Sequence, residues 1–509
     1  MPESGTPFAR VVARTAAGAV RGEIVDGVAT FRGVPYARIP RRFAAPAPVE
    51  PWPGTREATT PSARCPQGEG SLFATSLGDY FTGGRLDRIR LDAERSDEHC
   101  LELSILTPAP DPRARRPVLV YLHGGGFIVG SSIGTTAAQP FVAEHDVVLV
   151  GVNHRLGAFG FVSGGAPNPG MLDLVAALRW VRGNIAAFGG DPDAVTLVGD
   201  SGGAVKIATL LVMPDARGLF HRAVMESPAE FSMRTPEQEA ADRAALAAAL
   251  GSVAALTEAT ADELFAASVL SPWSYVPVID GRVVVADPFG EEAAGVMPEV
   301  PVIIGHAADE FTMFVADATI SEAKAAAVVR LLVGPEASDR EALRVEYGVD
   351  RLDPATVLRA ASDASFGPDV ARFARRRAEA GGAVFEYLFT HVPPHDGGAM
   401  GAFHTAELAL AIGLPQHEES GPLSRVLSAA WAAFARTGDP STAALAWPAL
   451  QAGTAHVDEV PSVPGVVPRV VFGDDGGRLD LDGSPIHAAF WAARPARYLD
   501  LLTLLQAED

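Results

Sequence analysis

Residues 194–211 constrain the fold more than any other stretch. A short apolar run (194–198) leads into Gly199-Asp200-Ser201-Gly202-Gly203, and an apolar segment with helical character continues through Leu211. An uninterrupted short apolar run suits a strand buried on both faces, and such strands occur in parallel sheets covered by helices. The alternation recurs along the chain. Residues 118–122 end in His123-Gly124-Gly125-Gly126-Phe127, and residues 147–152 end in Asn153-His154-Arg155. Residues 172–188 space Leu174, Ala177, Leu178, Val181 and Ile185 as a helix does. Further buried-strand candidates are 223–225, 300–304 and 383–388. Apolar runs alternating with helices predict an α/β chain with a large, mostly parallel central sheet flanked by helices. Residues 18–31 read as a hairpin turning at Asp26-Gly27, and the Pro-rich stretch 35–53 as an irregular surface arm.

The segments 232–300, most clearly up to 270, and 316–380 are rich in Ala, Glu and Arg and lie between core strands. They are expected to be helical insertions covering one end of the sheet, within a single domain spanning 1–509. A chain of 509 residues can bury a large core without disulfides or metal. Its net charge of −21 argues against nucleic acid or an anionic membrane bound through a general basic surface. The sequence contains no uninterrupted run of about 20 apolar residues, the length a bilayer-spanning helix needs. The first residues lack a basic start followed by an apolar stretch, so a cytoplasmic chain without a signal peptide is expected. Two cysteines and no Cys/His cluster at zinc spacing leave no metal site to assign.

The pattern G-x-S-x-G at 199–203 is weak alone and gains weight from its strand–turn–helix setting. A nucleophilic serine needs a sharp turn above the sheet, and a helix N-terminus places free N–H groups beside it. The alternative is a serine that only caps the helix. Gly-Asp-Ser-Gly-Gly also occurs around the serine of chymotrypsin-like proteases. In those, His and Asp precede the serine and proline follows the glycine pair; here Ala204 follows it. The glycines at 124–126 suit an oxyanion site, where N–H donors must approach a carbonyl oxygen without side chains in the way. His123 is expected to anchor that loop.

Collinear segments carry a family resemblance: RGVPYA (32–37), HCLELSILTP (99–108), VYLHGGGFIVGS (120–131), VNHRLGAFGF (152–161), NPGMLD (168–173), LRWVRGNIAAFGGDPDAVTLVGDSGG (178–203), IIGHAADE (303–310) and GAFHTAEL (401–408). The chain resembles the type B carboxylesterases, α/β-hydrolases that include cholinesterases and bacterial p-nitrobenzyl esterases. The resemblance implies a serine hydrolase that cleaves carboxylic esters through an acyl-enzyme. Ser201 corresponds to the nucleophile, Glu310 to the orienting acid and His404 to the base, in the chain order of this fold. Gly125, Gly126 and Gly202 correspond to the oxyanion donors. Residue chemistry alone does not choose between Asp309 and Glu310; the resemblance selects Glu310. His306 is the weaker candidate for the base.

Ser227 is expected to support the acid and Glu407 to orient the His404 loop. Phe127, Phe159 and Met313, adjacent to the motifs, are expected to wall the substrate pocket. The resemblance pairs Cys65 with Cys100, as in secreted relatives, whereas a cytoplasmic chain keeps thiols. Asp200, Gly202, Leu174 and Phe311 stand where the family usually has Glu, Ala, Gln and Gly, departures that bear on substrate preference rather than reaction class. An amidase or carbamate hydrolase would use the same site, and adhesion relatives use the fold without catalysis. The expected partner is a small-molecule ester, with no cofactor, no nucleic acid and no membrane, for a monomer or weak homodimer.

Overall fold

The computed structural model describes residues 9–68, 77–85, 89, 93–229, 233–269, 275–315, 319–450, 469–480, 490–491 and 498–506. Residues 232, 270–274 and 316–318 of the two expected insertions lie outside the described residues. The labelled strands are β1 (Arg10–Arg14), β2 (Ala19–Val25), β3 (Val28–Pro35), β4 (Glu102–Thr107), β5 (Arg116–Leu122), β6 (Val148–Val152), β7 (Gly190–Asp200), β8 (Arg222–Glu226), β9 (Val302–Ala307), β10 (Val384–Phe389), β11 (Arg469–Gly473) and β12 (Gly476–Asp480). They form one sheet in the order β1-β2-β3-β4-β6-β5-β7-β8-β9-β10-β11-β12, and Thr55–Glu57 adds a thirteenth strand beside β2. Among the twelve labelled strands, pairing is parallel from β6 through β11 and antiparallel toward both edges, while Thr55–Glu57 runs parallel to β2.

The uninterrupted apolar strands have a direct cause. On β5, Val118, Val120 and Leu122 enter the core on one face, while Leu119 enters a second core on the other. Leu197 and Val198 on β7 divide in the same way. With both faces covered, alternation of polar and apolar residues disappears. Helices α1 (Gln139–His145), α2 (Pro169–Asn184), α3 (Gly202–Leu211), α4 (Pro236–Ala249), α5 (Ala261–Ser268), α6 (Glu322–Val333), α7 (Ala337–Glu346), α8 (Pro354–Glu379), α9 (Glu407–Ala411) and α10 (Gly421–Thr437) occupy the connections. α4 and α5 each begin with a capping box, from Thr235 and Thr260.

The hairpin at 18–31 forms with Val25 opposite Val28. The Pro-rich stretch differs from the expected surface arm. Ala37–Arg38 pairs with Ala47–Pro48, Tyr36 and Phe43 are buried, and the Tyr36 hydroxyl donates to the Asn153 carbonyl at 2.8 Å. Apolar side chains at irregular spacing gave no periodic signal there. Among the described residues no helix is long and apolar enough to cross a membrane.

Candidate active site

Ser201 sits between the end of β7 and the start of α3, at φ 52° and ψ −124°. A non-glycine residue in that conformation is held under strain by its surroundings. Its amide donates to the Glu226 carbonyl at the end of β8, 2.7 Å away. Its hydroxyl makes no capping bond to the helix. The flanking glycines are needed for close approach. A β-carbon on Gly203 would fall onto the Leu122 carbonyl, and one on Gly199 would lie 2.7 Å from the Gly203 carbonyl carbon. The strand, the elbow and the helix therefore touch backbone to backbone.

The glycine loop after β5 packs on this elbow. A β-carbon on Gly202 would lie 2.6 Å from the Gly126 nitrogen. The amides of Gly125 and Gly126 donate to no acceptor among the described residues, and both glycines line the cavity above Ser201. The Gly124 amide is taken up by the Asp200 carboxylate at 3.2 Å, which also accepts from the Tyr121 hydroxyl at 2.7 Å. Burial pushes the Asp200 carboxyl up, and the Tyr121 bond opposes that shift. The residue preceding the nucleophile candidate thus ties the loop to the elbow. His123 stacks on His154 with ring centroids 4.9 Å apart, and its Nδ1 donates to the Gly124 carbonyl at 2.9 Å. Burial and the nearby Lys206 push His123 down to about 3, so its neutral ring anchors the loop.

His404 lies in the loop that precedes α9, with its ring 2% exposed. Nδ1 bonds to Glu310 Oε2, and Glu310 Oε1 accepts from the Ala307 amide at 2.7 Å. Nε2 is buried without a hydrogen-bond partner among the described residues, and His404 lines the same cavity as Ser201. Phe314 and Phe366 flank the ring, with centroids 5.0 and 5.4 Å away. The two adjacent acids separate clearly. Asp309 binds Arg359 at 2.6 Å and accepts from the Ala402 amide at 2.9 Å, so it ties the histidine loop to the end of β9. His306 bonds to its neighbouring carbonyl, that of Ala307, and does not line the cavity.

Behind the ring lies a group of buried acids. Glu407 accepts from the Tyr387 hydroxyl at 2.6 Å and from Ser227 at 3.5 Å, the outer limit of a hydrogen bond. Burial and the like charge of Glu310 push Glu407 up to about 7. Burial raises Glu226 as well, although its carboxylate accepts from Trp431 at 2.8 Å. Ser227 therefore reaches Glu407 and shows no bond to Glu310. Cys65 and Cys100 are buried thiols, and the Leu156 amide donates to Cys65 Sγ at 3.2 Å. The Arg155 and Asp173 motif residues form a buried bidentate pair at 2.6 and 2.8 Å and do not line the cavity.

The pocket walls differ from expectation. Of the three predicted aromatic and thioether walls, only Met313 lines the cavity. Phe127 adopts φ 67° and turns its ring into the core against Phe161, at 5.2 Å. Phe159 is buried beside Arg42, whose guanidinium lies 5.8 Å from its ring. The cavity, about 390 Å³, instead runs over the other sheet face, past Leu119, Leu149, Val198, Leu408, Ile412 and Trp431. Period-two alternation was the available signal: 119 and 121 on β5, and 198 and 200 on β7, share one face. Adjacency to a motif does not report which face a side chain takes.

The carboxylesterase family model matches residues 9–461. Phenmedipham hydrolase of Pseudarthrobacter oxydans is 34% identical, over 93% of this chain and 97% of its own length. Para-nitrobenzyl esterase of Bacillus subtilis is 32% identical, over 86% and 92%. Among solved structures, a PNB esterase superposes with a TM-score of 0.74 at 29% identity, covering 93% of this chain and 97% of that one. A Geobacillus stearothermophilus carboxylesterase gives 0.74 at 31% identity, covering 93% and 98%. Taken with the serine elbow and the glycine loop, these likenesses place the chain in the carboxylesterase family, as a carboxylic ester hydrolase on the α/β-hydrolase fold.

Proposed function

We propose that Ser201, His404 and Glu310 form the catalytic triad and that the amides of Gly125, Gly126 and Gly202 form the oxyanion hole. The observation that carries this reading is the His404 ring. It is held by Glu310 on one side and has an unpartnered Nε2 on the other, at a cavity shared with Ser201. Ser201 Oγ attacks the ester carbonyl carbon while its proton passes to His404 Nε2. The carbonyl π pair moves onto oxygen, where the backbone amides meet it. Collapse expels the alkoxide, which takes the proton from Nε2. Water then attacks the acyl-enzyme with the same base, and Ser201 recovers its proton. Glu310 keeps Nδ1 protonated and stabilises the imidazolium. Every charge that develops has a protein partner, so no metal or cofactor has a step to perform.

Ser227, through Glu407, supports the acid from behind, and Glu407 and Asp309 fix the ends of the histidine loop. The apolar lining favours neutral esters with an apolar acyl or aryl group. Residues 1–509 act as one α/β-hydrolase unit with helical covering at 232–300 and 316–380. Phe366, from the second of these segments, packs on His404 in support of that reading. The unpaired buried thiols of Cys65 and Cys100 support a cytoplasmic location, where a monomer or weak homodimer is the assembly proposed. The test is Ser201→Ala together with labelling by a neutral organophosphate. The variant is expected to lose p-nitrophenyl butyrate turnover with its fold intact, and the label to map to Ser201. Turnover retained above background, or a label on another serine, overturns the assignment.

A further inference from the structure

Helix α3 carries an ionisable side chain in a fully enclosed position. Lys206 stands one turn past Gly202 and has no exposed surface. Its Nζ donates a 2.8 Å hydrogen bond to the main-chain carbonyl of His123, the residue that opens the glycine loop. The same Nζ lies 5.3 Å from the ring centroid of Phe127, the residue that closes it. One amine thus touches both ends of the loop. Lysines are almost never fully buried unless paired. Among the described residues no carboxylate lies close enough to Lys206 to form an ion pair. The titratable groups around it are Asp200 at the end of β7, His123 at the end of β5 and His154 at the end of β6. Asp200 bonds instead to Tyr121 and Gly124. Both histidines are held neutral by burial, with Lys206 as a further cause. In the ester cleavage proposed for Ser201 this ammonium takes no step, yet it bonds to the residue that opens the glycine loop.

We propose that Lys206 is a positioning residue for the oxyanion loop: its ammonium fixes the His123 carbonyl so that the Gly125 and Gly126 amides face the reacting carbonyl, and its charge strengthens those donors as negative charge develops. The inference rests on the reading of Ser201 as nucleophile and of the glycine loop as the oxyanion site. Burial pushes Lys206 down to about 7. The charge is therefore present below that pH and lost above it, and kcat falls as pH rises through it. Stability moves the opposite way. The unfolded chain keeps this proton up to the ordinary lysine value of 10.5, so between these limits it binds more protons than the folded chain, and stability climbs with pH.

The test measures kcat, KM and melting temperature across this pH range for the wild type, Lys206→Met, Lys206→Gln and Lys206→Arg. Phosphorylation of Ser201 by diethyl p-nitrophenyl phosphate is followed in parallel. The wild type is expected to lose kcat above neutrality with KM nearly constant, while its melting temperature rises relative to the Met variant. Met and Gln are expected to show kcat about tenfold to a hundredfold lower below neutrality, without the alkaline decline. Arg keeps its charge throughout and is expected to restore part of kcat and remove the decline. A Met or Gln variant with wild-type kcat and pH profile overturns the proposal. So does a wild type whose kcat does not fall through this range, a result that needs no variant to fold. Labelling of a serine other than Ser201 defeats the underlying triad reading; labelling of Ser201 at rates indifferent to residue 206 defeats the lysine's role alone.

Discussion

Replacing Glu310 with Gln tests the proposed triad at the point where a carboxylate and an amide differ most. Glu310 accepts from two donors at once, the Ala307 amide at 2.7 Å through Oε1 and His404 Nδ1 through Oε2. A glutamine of the same shape has one accepting end and one donating end. With its oxygen toward Ala307, its NH2 faces Nδ1, which must then be the unprotonated nitrogen. The proton moves to Nε2, which then cannot take the Ser201 proton that the proposed mechanism requires it to accept. With the amide flipped, two N–H groups oppose each other at Ala307, and a buried unsatisfied donor costs about 1–3 kcal/mol. The first arrangement therefore dominates, and it is catalytically inert. A triad with its histidine in the wrong tautomer loses about 10⁴ in kcat, equivalent to ~5 kcal/mol of barrier. The assay is steady-state hydrolysis of p-nitrophenyl butyrate, with circular dichroism and melting temperature as fold controls. A folded Glu310→Gln enzyme within about tenfold of wild-type kcat would refute the reasoning.

Val198→Phe fills part of the cavity on the sheet face and is expected to lower kcat/KM for octanoate relative to acetate esters by at least about tenfold; an unchanged ratio in an ester-length panel places the acyl group elsewhere. Gly203→Ala drives a β-carbon into the Leu122 carbonyl and is expected to cost about 2–4 kcal/mol in chemical denaturation, with loss of activity; a neutral change would mean that the elbow and β5 are not in contact. Glu407 sits raised to about 7 from 4.5, so its folded form holds a proton that the unfolded chain releases between those values. Its contribution is present below the lower value and is lost as pH climbs through the higher one. Glu407→Gln keeps an acceptor for Tyr387 and is expected to gain stability on the order of 3 kcal/mol relative to wild type above neutrality; equal pH–stability curves would dismiss the buried acid.

Much of the site was legible because its chemistry constrains residue type within short spans. The serine elbow needs glycines two residues either side, and a loop proposed to form an oxyanion hole needs residues without side chains, so both leave a mark in consecutive letters. The central strands were legible because burial on both faces makes them uniformly apolar. The adjacent acids were not separable, since their local chemistry is nearly identical. Asp309 points to Arg359 and Ala402, while Glu310 points to His404, and the end geometry of β9 makes that difference. The pocket was misread at Phe127 and Phe159. A positive φ at Phe127 reverses the direction of its side chain, and no composition rule carries that sign.

By itself the sequence determined the α/β architecture and the strand–turn–helix setting of Ser201, because these depend on local apolar pattern and on glycine; the order of the three proposed catalytic residues came from the family resemblance of their motifs. Tertiary structure put Glu310 rather than Asp309 on the imidazole, as the resemblance had implied and residue chemistry had not, and it alone decided which sheet face opens into the cavity and that Lys206 ends beneath the glycine loop. Those outcomes depend on distances between segments far apart in the chain. They are set by how helices and strands pack, after the local preferences have all been satisfied.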